Sequence, residues 1–163
     1  MTVIFSKKCE LALQAVLYLS VFNDKTYFTA TDISKRLNIP KEFLAKILQS
    51  LAVHSIVISK KGKTGGFTLG KPLNEIRLID IVIAIDGLEI FHKCVLGFKG
   101  CTVEKPCPLH EKWGKLRDLV YKMLSEETLL EIRDKSVEKI KSIHSINNDA
   151  LVLAQSFQKR RLN

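Results

Sequence analysis

The chain has 163 residues, enough for one domain with a real core or a small domain with an appendage. Its 26 Lys and Arg against 17 Asp and Glu leave a net charge of +9, with a pI near 9.4. That balance favours a polyanionic partner, nucleic acid before an acidic membrane surface, and no apolar run approaches the ~18 residues of a membrane span.

The first apolar run, from Leu11 to Phe22, is short, contains Gln14 and has no small-residue cleavage site after it, so it is not a secretory signal. A cytoplasmic location is expected, where stable disulfides are rare. The spacing predicts a helix over 6–22, SKKCELALQAVLYLSVF. Leu11, Ala12, Ala15, Val16 and Leu19 form one stripe while Leu13 and Leu17 lie off it, the pattern of a helix buried on more than one side.

Turn residues follow in NDKTYF, and Thr29 or Thr31 can cap a short helix with Ile33 and Leu37 facing inward. Asn38 closes that helix, and Pro40 suits the first turn of the next. There Phe43, Leu44, Ile47, Leu48 and Leu51 fall on one face, and Lys41, Glu42, Ala45, Lys46 and Gln49 on the other. Two short helices with a basic outer face make a helix-turn-helix candidate. The stretch SIVISKKGKTGGFTLG then alternates around a glycine-rich turn, with Ile56, Ile58, Phe67 and Leu69 expected inward. A hairpin tipped by Lys60, Lys61 and Lys63 directly after a helix-turn-helix reads as a wing.

A short helix over 76–86 ends at Asp86-Gly87. Beyond the segment that follows it, Leu109, Trp113, Leu116, Val120 and Met123 recur at spacings of four and three, a seam about two heptads long and suited to a dimer helix. A further helix with Ser125 as cap and a basic tail ending QKRRLN complete the chain. The expected organisation is a winged helix-turn-helix over 1–87, a cysteine loop over 88–110, a dimerisation helix and its successor over 111–145, and a tail over 146–163. The class is mainly α with a two-stranded β wing.

The loop carries Cys94-x6-Cys101-x5-Cys107-x2-His110. Three thiols and an imidazole form a four-donor set suited to zinc or to an iron–sulfur cluster of two or four irons, and spacing alone does not choose between them. Lys93, Lys99 and Lys105 offer charge to offset bound thiolates. His92 is a further nitrogen donor in range, and Cys9 reads as a small buried hydrophobe. No CxxC pair, HExxH motif, Ser-His-Asp set or nucleotide loop supports an enzyme.

Taken together, SKKCELALQAVLYL, ISKRLNIPKEFLAKILQSL, the wing ISKKGKTGGFTLGKP, LIDIVIAIDG and the three-cysteine loop resemble the Rrf2 family of bacterial winged-helix transcription regulators, in its IscR and NsrR types, over roughly residues 2–135. The resemblance implies a homodimer on a pseudo-palindromic double-stranded DNA operator, with the helix after the cysteines at the dimer interface. It implies that Cys94, Cys101 and Cys107 hold an iron–sulfur cluster that controls operator affinity in response to nitric oxide, oxygen or iron–sulfur status. One type of the family uses a histidine where His110 stands as fourth ligand. Another uses an acidic residue of the other subunit, where Glu10 stands. The first gap of six residues is longer by one than the family's familiar pattern.

For DNA, the expected contacts are Pro40, Lys41, Glu42, Lys46 and Gln49 on the recognition helix, and Lys60, Lys61, Lys63, Thr64, Gly65 and Gly66 on the wing. Lys7 and Lys8 at the first helix add phosphate contacts. The alternative expectation is a zinc-stabilised winged-helix repressor without cluster sensing.

Overall fold

Ser6 opens the first helix in extended conformation, and its hydroxyl accepts from the Cys9 amide at 3.1 Å. The computed structural model describes residues 4–22, 27–137 and 139. From that cap α1 runs Lys7–Val21, and Ala12, Ala15, Val16 and Leu19 on its expected stripe are buried. Leu11, Leu13 and Leu17 are half-buried against the same core, so the off-stripe leucines serve it too.

Thr29, rather than Thr31, caps α2 (Ala30–Leu37): its hydroxyl accepts from the Asp32 amide at 3.1 Å while the Asp32 carboxylate accepts from the Thr29 amide at 3.3 Å. Such a reciprocal cap contributes about 1 kcal/mol. Asn38 ends α2 at φ 54°, the left-handed conformation that Asn tolerates best after Gly, and Ile39 then turns into the core. Pro40 stands just ahead of α3 (Lys41–Val53) as its cap, one residue before the predicted first-turn place. On α3, Leu44, Ile47, Leu48 and Leu51 are fully buried, but Phe43 is 38% exposed and does not belong to the inward face.

The wing departs from the expected register. In the antiparallel pair β1 (Val57–Lys60) and β2 (Gly66–Leu69), Val57 opposes Leu69 and both are buried, whereas Ile58 is 43% exposed. The cause lies upstream: Ser55 adopts φ 56°, turning the chain so that Ile56 and Val57 both enter the core and the alternation starts one residue early. A single bridge from Phe28 to Phe67 ties the segment before α2 to this hairpin.

After a 3₁₀ turn, Leu73–Glu75, helix α4 (Leu78–Asp86) begins later than predicted because Ile76 and Arg77 are extended, Arg77 in a bridge to Thr128. Asp80 caps it by accepting from the Arg77 amide at 2.9 Å. α4 packs on α1 and α3, and behind it Cys9, Ile79, Val82, Phe91 and Leu124 form a second buried cluster that reaches α5 (His110–Glu126). After α5 the chain returns to the start of α4: Leu129 donates to the Ile76 carbonyl at 2.7 Å, and the Arg77 guanidinium donates to the Ser125 carbonyl. Residues 129–137 are helical, and their cap is Thr128, whose hydroxyl accepts from the Glu131 amide. Ser125, the predicted cap, lies inside α5 instead. The basic tail over 146–163 lies outside the described residues.

Candidate metal centre and nucleic-acid interface

Between α4 and α5 the chain makes a 3₁₀ turn, Leu88–Phe91, then a loop held open by left-handed Gly97 and Gly100. Its two ends are anchored by packing and by one carbonyl. The Phe91 ring meets Tyr121 of α5 edge-on at 5.2 Å between centroids. The Lys93 carbonyl, one residue before Cys94, accepts from Trp113 Nε1 at 3.0 Å and from Arg117 at 3.3 Å. Both donors sit on α5, so the start of the loop is fixed to the helix that begins where the loop ends.

This arrangement brings the three predicted thiols together. The sulfurs of Cys94, Cys101 and Cys107 all lie within 4.8 Å of one another, with Cys94 and Cys107 at 3.5 Å. His110 approaches through Cys101: its Nδ1 is 3.1 Å from that sulfur. Backbone amides are aimed at the thiols as well. Desolvation raises the Cys94 thiol, but amides of Leu96 and Phe98 and the neighbouring thiols outweigh it and hold Cys94 below its ordinary value. Cys107 is pushed the other way, first by desolvation and then by the adjacent sulfurs, with the Leu109 amide opposing. A thiol lowered at Cys94 beside one raised at Cys107 is a pair whose shared charge a cation would relieve.

The donor chemistry and spacing fit a thiophilic metal. Two sulfurs on one tetrahedral ion with bonds of about 2.3 Å stand about 3.8 Å apart. The Cys94–Cys107 distance of 3.5 Å is close to that, whether the ion is a lone zinc or the two-thiolate iron of a two-iron cluster. His92 also lines the cavity of the thiols, together with Trp113 and Arg117. Glu10 is engaged elsewhere, in an ion pair with Lys7 at 2.7 Å. Cys9 is fully buried in the second cluster, as its lone place in an apolar helix implied.

Arg117 is the cavity residue that the sequence reading missed. A signal was present: His110, Trp113 and Arg117 stand at i, i+3 and i+7, one face of a helix. Side chains on a helix lean toward its N-terminus, which sends a long Arg back toward the loop.

The predicted seam on α5 divides into two faces. Trp113 and Val120 turn inward with Arg117 and Leu124, while Leu109, Leu116 and Met123 point out, joined by Leu119. Leu116, Leu119 and Met123 are 54%, 64% and 54% exposed, an apolar stripe with nothing covering it among the described residues.

The predicted DNA-reading residues lie on the surface. Lys41, Glu42, Lys46 and Gln49 are exposed along one side of α3, and Lys60, Lys61, Lys63 and Thr64 are exposed on the wing. Lys60 lies over the Tyr27 ring at 5.6 Å, and Lys8 donates to the Ser50 hydroxyl of α3 at 3.0 Å, so these two cations already have partners. The wing glycines have internal reasons. A Cβ on Gly66, at φ 152°, would stand 2.5 Å from the Phe28 carbonyl oxygen, and one on Gly65 would stand 2.1 Å from that of Lys60.

A family model described as Rrf2, iron-dependent transcriptional regulator, matches residues 5–135. A helix-turn-helix-type transcriptional regulator of Aquifex aeolicus is 31% identical over 137 residues, covering 81% of this chain and 94% of the relative. The transcriptional regulator IscR of Photorhabdus laumondii is 28% identical over 127 residues, covering 78% and 77% of the two chains. Among solved structures, the B. subtilis global cysteine regulator CymR superposes with a TM-score of 0.66 at 22% identity, over 80% of this chain and 96% of that one. T. potens IscR superposes at 0.63 and 21% identity, over 80% and 86%. At that identity the superpositions establish the shared winged-helix fold.

Proposed function

Because this chain belongs to the Rrf2 family of transcriptional regulators, we propose that it is a dimeric DNA-binding regulator whose operator affinity is set by an iron–sulfur centre on the loop between α4 and α5. The observation that carries this reading is the convergence of the Cys94, Cys101 and Cys107 sulfurs within 4.8 Å, with His110 Nδ1 against Cys101. These four residues would hold the centre, and His110 is preferred to Glu10 because its Nδ1 already stands against Cys101 in the same chain. An iron–sulfur centre supplies sensitivity to oxidants, nitric oxide and iron supply.

The residues connect that site to DNA through packing. The loop follows α4, and α4 rests on α1 and α3, the helix whose Lys41, Lys46 and Gln49 would meet base edges. The other end of the loop starts α5, whose exposed Leu116, Leu119 and Met123 offer the surface for a second copy. Ligands on both sides of the loop would fix the angle between reader and dimer helix, and their release would free it. A pseudo-palindromic operator needs both reading heads at one spacing, so that angle translates into affinity. Coupling of this kind amounts to about 1–3 kcal/mol, or roughly 5- to 150-fold. On the wing, Lys61 and Lys63 would neutralise phosphates.

The compact sulfur spacing also favours a second reading, a lone zinc that staples the loop. Anaerobic purification followed by a visible spectrum and metal analysis separates the two. A brown protein containing iron and sulfide, lost in the Cys94→Ser, Cys101→Ser and Cys107→Ser variants, supports the cluster. A colourless protein with one zinc per chain supports the staple and removes sensing from the account.

A further inference from the structure

Of the groups that line the thiol cavity, Arg117 has no place in the ligand set. Its guanidinium donates to the Lys93 carbonyl at 3.3 Å, but its Nε is buried and has no hydrogen-bond partner among the described residues. Buried N–H groups are nearly always paired, and an orphan marks a missing acceptor. The same side chain lines the cavity formed by Cys94, Cys101, Cys107 and His110. The charge count points the same way. Three thiolates around a divalent ion carry one net negative charge, and a guanidinium carries one positive charge. Lys93, Lys99 and Lys105 are exposed and face water, where their charge is screened. Among the described residues, Arg117 is the one Lys or Arg that lines the cavity.

We propose that Arg117 is a binding residue of the metal centre, its Nε–H donating to the sulfur shell of the bound group and its charge offsetting the thiolates. This rests on the reading of the loop as a metal site. In that role α5 contributes twice to the centre, through His110 as a ligand and through Arg117 two helical turns on. Outer partners of this kind typically hold metal affinity up by about 10- to 100-fold.

The test uses Co²⁺ as the probe, titrated into the reduced, metal-free full-length chain and followed by thiolate-to-cobalt charge-transfer absorbance. Wild type binds with that absorbance, Arg117→Gln binds about 10- to 100-fold more weakly with a shifted band, and Arg117→Lys recovers at least half of the loss on a logarithmic scale. Thermal melts of the metal-free proteins establish that the variants fold. Equal affinity within threefold for wild type and Arg117→Gln overturns the role of Arg117 and leaves the metal site standing. Equal losses in the Gln and Lys variants overturn it too, because charge then does nothing. A wild type without thiolate absorbance overturns both this assignment and the metal site.

Discussion

The Cys101 sulfur stands 3.1 Å from Nδ1 of His110, and His110 is the first residue of α5. The contact joins the middle of the loop to the helix that carries the exposed apolar stripe. It predicts that His110→Ala weakens metal binding by at least about tenfold, the lower end of what loss of even an outer partner brings. Glu10→Ala leaves binding unchanged, since Glu10 is paired with Lys7. A Co²⁺ titration of both variants checks this, and a loss confined to Glu10→Ala would reverse the ligand assignment.

On the wing, Lys61 is exposed and has no hydrogen bond or ion pair among the described residues, whereas Lys60 lies over Tyr27. Lys61→Ala should weaken binding to all duplexes alike and reduce the slope of log affinity against log salt by up to about one unit. Kd values at four salt concentrations on matched and scrambled duplexes measure both effects. An unchanged slope removes Lys61 from the phosphate contacts.

Gly66 supports the wing from inside. With its would-be Cβ 2.5 Å from the Phe28 carbonyl oxygen and φ at 152°, Gly66→Ala should destabilise the protein by about 1–3 kcal/mol. Urea denaturation reads this directly. A variant as stable as the parent would mean that the Phe28 bridge yields without cost.

The two faces of α5 predict two kinds of variant. Leu124 is buried, and Leu124→Ala should cost about 2–5 kcal/mol of subunit stability. Leu119 is 64% exposed, so Leu119→Lys should leave subunit folding nearly intact and shift the protein toward monomer in sedimentation. A Leu119→Lys protein that remains dimeric places the interface elsewhere.

Cys9 gives a pH signature. Burial first, and Asp86 second, push its thiol from 9.0 up to about 12. The folded value is the higher one, so the folded state holds the proton longer. This contribution is complete below about pH 9 and is lost as pH rises toward 12. Denaturation midpoints measured from pH 8 to 11 should fall less steeply for Cys9→Ala than for the parent. Parallel curves would show that the thiol does not titrate with unfolding.

Much of the reader was legible in residue order. The apolar stripe of α1, the Thr29 cap and the inward leucines of α3 follow from local periodicity and capping, which need no knowledge of distant contacts. The wing register was not legible, because the left-handed turn at Ser55 inserts a change of face that a period of two does not carry. The seam on α5 is ambiguous in the sequence for a related reason. Spacings of four and three fit Leu109, Trp113, Leu116, Val120 and Met123, and they fit the stripe of His110, Trp113, Arg117, Val120 and Leu124 equally well. Only the packing of Tyr121 on Phe91 and of Leu124 into the second cluster decides which stripe is inside. At the centre, the ligand types were evident from the thiols, but their convergence depends on the Lys93 carbonyl held by Trp113 and Arg117. A backbone acceptor leaves no mark in a sequence.

The most direct test of coupling between the loop and DNA is the operator affinity of one preparation in two states. The protein is first loaded anaerobically and then stripped by chelator, at constant salt, on a duplex it has itself selected from a random pool. The two states should differ in operator affinity by roughly 5- to 150-fold. Affinities equal within twofold would contradict that coupling, leaving a DNA-binding protein whose three thiols do not control its grip.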